Sequence, residues 1–155
     1  VKKFYESEKL YDGFSACFRQ WRAEETHCKF VHGYAISFRL YFAGDLDEKN
    51  WVFDFGGMKR AKHTIDGRKP KEWFDYMFDH TTIVANDDPF LHAFNQMQEM
   101  GLIQLRTLPD VGAEKFAEFV YYKVNEFLMK ETEGRVKLRK VTCYENRKNS
   151  ASYSA

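Results

Sequence analysis

The chain has 155 residues, 24 Lys plus Arg against 23 Asp plus Glu, and a formal net charge of +1. That length predicts one domain over residues 1–155, able to bury its core without staples. The near-neutral balance excludes a bulk field for nucleic acid or for an anionic membrane surface. Aromatic residues make up 17%, with 15 Phe and 9 Tyr, so a packed core plus an aromatic pocket or a subunit interface is expected. Cys17, Cys28 and Cys143 are odd in number and form no CxxC pair, which favours a reducing compartment over a disulfide framework. The start turns polar at once, and no apolar run reaches membrane-spanning length, so a cytoplasmic protein is expected.

In chain order, Tyr34, Ile36, Phe38, Leu40 and Phe42 alternate with Ala35, Ser37, Arg39 and Tyr41, which predicts a half-buried strand. Gly44–Asp47 reads as a turn, and Trp51–Phe55 as the returning strand of a hairpin ended by Gly56-Gly57. Met58 to Ile65 has helical spacing, and Trp73, Phe74, Met77 and Phe78 continue an amphipathic stretch after Gly67 and Pro70. Asp88 and Pro89 predict a helix start, with Phe90, Leu91, Phe94, Met97 and Met100 on one face and Gly101 as the stop. Leu102–Leu108 reads as a short strand. The longest helix is predicted from Asp110, with Phe116, Phe119, Val120, Val124, Phe127 and Leu128 repeating at three and four up to Gly134. Val136–Tyr144 is a last strand, and the polar tail from Arg147 to Ala155 is expected to fray. The order predicts an α+β fold, with helices on one face of a mostly antiparallel sheet.

Two segments carry reactive groups. Cys28-Lys29-Phe30-Val31-His32-Gly33-Tyr34 sets a thiol and an imidazole four residues apart, beside a glycine that permits close backbone approach. Asp79-His80 lies far downstream. A Cys, a His and an Asp brought together by folding supply proton-transfer or nucleophilic chemistry. Taken singly, each is as compatible with a buried thiol or a satisfied imidazole.

Six short motifs then fall in order. They are Phe14-Ser15-Ala16-Cys17-Phe18, the Cys28–Tyr34 run, Trp51-Val52-Phe53-Asp54-Phe55, Phe78-Asp79-His80, Val111-Gly112-Ala113-Glu114-Lys115 and Val141-Thr142-Cys143-Tyr144-Glu145. Together they resemble the 6-pyruvoyl-tetrahydropterin synthase / 6-carboxytetrahydropterin synthase family over nearly the whole chain. The resemblance implies a tunnelling fold (T-fold) that assembles edge to edge into rings, usually hexamers. It also implies a lyase acting on a dihydroneopterin-triphosphate-type pterin, in folate- or queuosine-related biosynthesis. Cys28, Asp79 and His80 would be catalytic. Glu145, with Glu114, would bind the pterin.

The resemblance implies zinc held by three imidazoles, and here the pattern departs. The three positions carry Phe18, His32 and Tyr34, so only His32 remains as a ligand. A catalytic zinc needs three protein ligands and an open position. Either aromatic bulk fills the metal pocket, or His27, Cys28 and His32 form a substitute set. Cys17 adjoins Phe18 but points to the opposite face of a strand. Gly112 and Lys115 stand where the family has Thr and Asn. Arg19 and Arg22 suit a triphosphate by bidentate geometry, and equally suit an exposed surface. Three functions are open: a slow zinc-free lyase, a pterin- or purine-binding oligomer without turnover, and a structural ring.

Overall fold

Strand β2 (His32–Gly44) carries the clearest alternation and lies inside the sheet, paired on both edges. In this computed structural model, which describes residues 4–155, Ile36, Phe38, Leu40 and Phe42 are buried on one face. Strand β1 (Tyr5–Phe18) runs antiparallel to it from Tyr5 opposite Gly44 to Phe18 opposite His32. The register slips between Tyr11 and Phe14, where Gly13 takes a φ of 84° that admits the extra residues. Strand β5 (Val136–Tyr144) covers the other edge of β2, also antiparallel.

Strands β3 (Thr81–Ala85) and β4 (Leu105–Leu108) extend the sheet in parallel beyond β1, and β6 (Ser150–Ser154) closes it antiparallel to β5. The order is β4-β3-β1-β2-β5-β6. Four helices complete the fold: α1 (Gly57–Arg60), α2 (Pro70–Phe78), α3 (Leu91–Glu99) and α4 (Ala113–Glu131). Helix α2 packs on β1 and β3, and α4 packs on β5 and β6. Between helices and sheet lie Phe14, Phe18, Phe38, Trp73, Phe74, Phe78 and Phe116, all under 3% exposed. Removing one such ring costs about 3–5 kcal/mol, so this aromatic cluster sets the frame on which the site is built.

Several expectations are corrected. Trp51–Phe55 is not a strand, because β1 and β5 already occupy both edges of β2. Its backbone groups are met by side chains instead. Asp47 accepts the Lys49 and Trp51 amides at 2.8 and 3.0 Å, and Arg135 donates to the Val52 carbonyl at 2.9 Å. The helix expected over Met58–Ile65 stops at Arg60, because Glu131 at the end of α4 captures the Lys62 and His63 amides. Asp66 and Gly67 then both take positive φ in a tight turn, with Ile65 bridged to Arg68.

Asp88 does serve the start of α3 by accepting the Phe90 amide, but the helix opens at Leu91 and none of its residues is buried. Helix α4 opens at Ala113 rather than Asp110. The tail does not fray. Ser150–Ser154 is strand β6, held by the Thr142 and Ser152 hydroxyls at 2.7 Å and by Tyr153 against Tyr121 and Tyr122 of α4. Among the described residues, no helix is long and apolar enough to cross a membrane.

Candidate functional site

The Cys28 loop leaves β1 at Phe18 and returns at His32. Arg19 fixes it by donating from Nε and Nη2 to Asp88 at 2.8 and 2.7 Å, and from Nη1 to the Lys29 carbonyl at 3.3 Å. The Asp88 side chain is 1% exposed, and the Arg19 guanidinium beside it holds its carboxyl below the usual carboxylate range. Thr26 caps a single 3-10 turn (His27–Lys29) by accepting the Cys28 amide at 3.1 Å, and Gln20 N–H donates to the Cys28 carbonyl at 2.8 Å. These bonds hold Cys28 half-buried at the mouth of the loop. They also consume Arg19. Arg22 and the Trp21 indole are turned to Asp87. Neither arginine is left as the free phosphate clamp that the sequence offered.

Entering β2, three rings stack outward from the core. Phe18 is buried, Tyr34 is half-buried and His32 is exposed. Phe18 and Tyr34 lie 4.0 Å apart between centroids at 13°, and His32 lies 4.4 Å from Tyr34 at 36°. Phe116 of α4 meets the floor of the stack edge-on at 5.0 Å. His32 Nδ1 lies 2.9 Å from the Phe30 carbonyl, which can only accept, so that nitrogen donates.

Glu145 follows β5 directly and is half-buried, while Glu114 sits in the first turn of α4. Burial and then the Glu114 charge push the Glu145 carboxyl up, and His32 opposes them. Burial, with Glu145 and Cys28 adding to it, pushes the Tyr34 phenol up to about 12. The buried Cys143 thiol is pushed up by desolvation, Glu145 and Glu114, which keeps it protonated. Cys28, His32, Tyr34, Glu114 and Glu145 therefore share one electrostatic neighbourhood.

Gly112 shows why the family's Thr is missing. It takes a φ of 120°, and a Cβ there would lie 2.8 Å from Gln20 Nε2. Gln20 is a wall residue of the site that sequence reading missed. Only the glycine hinted at it.

Asp79-His80 is built separately, where α2 passes into β3. Asp79 Oδ1 accepts the Ser15 amide at 3.0 Å, and Oδ2 lies 3.0 Å from His80 Nδ1. The Ser15 bond, then His80, holds the Asp79 carboxyl low against its partial burial. His80 N–H donates to the Ser15 carbonyl at 2.6 Å, and its φ of 59° turns the ring outward, leaving the side chain 75% exposed. Among the described residues, no hydrogen bond or ion pair joins this dyad to Cys28 or Glu145. A cleft of about 830 Å³ opens beside Ser37, Arg39 and Tyr144, on the sheet face opposite Phe38 and Cys143, and does not include these groups.

The donor set at the three zinc positions is a phenyl ring, one imidazole and a phenol held protonated. That set does not fit a three-imidazole zinc centre. Among the described residues, no three His, Cys, Asp or Glu side chains are grouped to hold a metal ion in this structure, His27, Cys28 and His32 included.

Comparison with known proteins agrees with the fold. No curated protein matches the chain. An uncharacterized protein from Wolinella succinogenes superposes with a TM-score of 0.77 at 17% identity, covering 98% of each chain. The 6-pyruvoyl tetrahydropterin synthase of Caenorhabditis elegans gives 0.65 at 16% identity, covering 99% of this chain and 97% of that one. That of Plasmodium vivax gives 0.64 at 15%, covering 97% and 98%. Likeness at these identities establishes the shared α+β tunnelling fold. The profile of the 6-pyruvoyl tetrahydropterin synthase family matches residues 9–155. The chain belongs to the 6-pyruvoyl tetrahydropterin synthase family.

Proposed function

We propose that this protein is a lyase of the 6-carboxytetrahydropterin synthase type, acting on a dihydroneopterin-triphosphate-type pterin without a three-imidazole zinc centre. The observation that carries the reading is the shared neighbourhood of Cys28, Glu114 and Glu145 around Tyr34, kept although the metal positions are not. A half-buried carboxylate raised by desolvation and by Glu114 gains most from a ligand that brings two N–H donors, as the amino-lactam edge of a pterin does. Cys28 is the proton-transfer thiol, and Asp79 orients His80 as its acid–base partner. In one chain the dyad projects to solvent, so the reading places their meeting between copies in an edge-to-edge ring. Without a Lewis acid the chemistry loses several kcal/mol of transition-state stabilisation, and turnover is slow.

The second reading is a pterin- or purine-binding oligomer without turnover. The Phe18–Tyr34–His32 stack, standing where the metal would act, favours it. Product analysis after incubation with dihydroneopterin triphosphate decides between them. Loss of the triphosphate or of the side chain supports the lyase. Binding with unchanged substrate leaves the binding protein.

A further inference from the structure

Tyr34 is held more tightly than a surface phenol and is used by nothing within the chain. Its ring is clamped between Phe18 at 4.0 Å and His32 at 4.4 Å, which fixes the direction of its hydroxyl. Among the described residues the hydroxyl has no hydrogen-bond partner. It is also not one of the buried unpaired oxygens, which are those of Ser7 and Tyr11. The group is therefore aimed into accessible space with its donor unspent. The charges of Glu145 and Cys28 act on the phenol, and Glu114 and His32 act in opposite directions on Glu145. An anionic partner is disfavoured next to two carboxylates, and a neutral oxygen is favoured. A phenol hydroxyl both donates and accepts, so it can donate to such a partner.

We infer that the Tyr34 hydroxyl is a ligand-binding group that donates to a neutral hydroxyl or carbonyl oxygen on the side chain of the bound heterocycle. The inference rests on the pterin reading above and adds a selection rule to it. Glu145 reads the ring, Tyr34 reads the side chain, and a ring without an oxygenated side chain gains nothing from Tyr34. Phe at this position keeps the stack and removes only the donor.

Affinities of neopterin and of unsubstituted pterin are measured by calorimetry in the presence of a chelator, for the wild type and for Tyr34→Phe. The wild type is expected to bind neopterin about tenfold more tightly than pterin, the value of one hydrogen bond. Tyr34→Phe is expected to bring neopterin down to the affinity of pterin while leaving pterin unchanged. A neopterin advantage that survives in Tyr34→Phe overturns the inference alone. So does an advantage that is absent under chelation and returns with added zinc, because a metal then holds the oxygen. Wild-type protein that binds neither compound overturns the pterin reading and this inference with it. Equal losses for both ligands in Tyr34→Phe, with an unchanged melting temperature, assign Tyr34 to ring stacking and overturn its role as side-chain donor.

Discussion

The two halves of the reactive set are made differently. Cys28, Tyr34 and Glu145 sit half-buried, backed by the aromatic core and by the Arg19–Asp88 pair. Asp79-His80 is anchored with equal care, by two backbone bonds to Ser15, yet its imidazole stands in solvent. On the proposed function, the first half receives the ligand and the second acts on it from another copy. A dyad held by a left-handed backbone residue is a strained arrangement. Its persistence at an exposed position fits a group completed by a second copy.

The largest effect is expected from breaking that division directly. Cys28→Ser and His80→Ala should each lower turnover by about 10²–10⁴-fold alone. Co-assembled in equal amounts, they should recover about a quarter of wild-type turnover if each site takes its thiol and its imidazole from different copies. No recovery would place both groups in one chain and erase the contrast between the halves.

The buried anchor of the first half comes next. Asp88→Ala leaves the Arg19 guanidinium unpaired and should lower stability by about 3–5 kcal/mol, read as a fall in melting temperature. The Asp88 carboxyl is held low in the fold, so its stabilisation is present above the unfolded carboxyl value and is lost as pH falls through the folded one. The gap between variant and wild type should therefore narrow in acid. A gap that widens in acid would show that Arg19 is not its partner in solution. Asp79→Asn, which keeps an oxygen for the Ser15 amide, should destabilise far less.

Smaller effects sharpen the ligand side. Glu145→Gln should weaken pterin binding about tenfold, because one of two accepted N–H groups loses its acceptor. Unchanged affinity would remove Glu145 from the site. Because burial and Glu114 raise the Glu145 carboxyl, wild-type affinity should fall as pH drops through that raised value. Glu114→Gln removes one cause and should move the fall to lower pH. A shift in the opposite direction would mean that Glu114 does not act on Glu145.

Much of the frame was legible because it is periodic. β2 and β5 show as alternation, α4 shows as an apolar stripe, and six ordered motifs sufficed for the family. β3 was not legible, since Thr81–Ala85 is buried on both faces and has no period to read. β6 was missed for the opposite reason. Its serines look like a tail until Tyr153 meets α4. Trp51–Phe55 has the composition of a strand but found no free edge.

The site divides along the same line. Residue types at the metal positions follow from the sequence, and with them the loss of two imidazoles. Tertiary structure alone decided that Arg19 belongs to Asp88, that position 112 takes a φ of 120° with Gln20 against it, and that Phe18, Tyr34 and His32 form one stack. It also joins Cys28 and His80 by no hydrogen bond or ion pair among the described residues, and leaves the His80 side chain 75% exposed. A sequence fixes which groups are available through local propensity and pattern. Distances between groups tens of residues apart arise only from packing, where each buried ring and charge must find a partner.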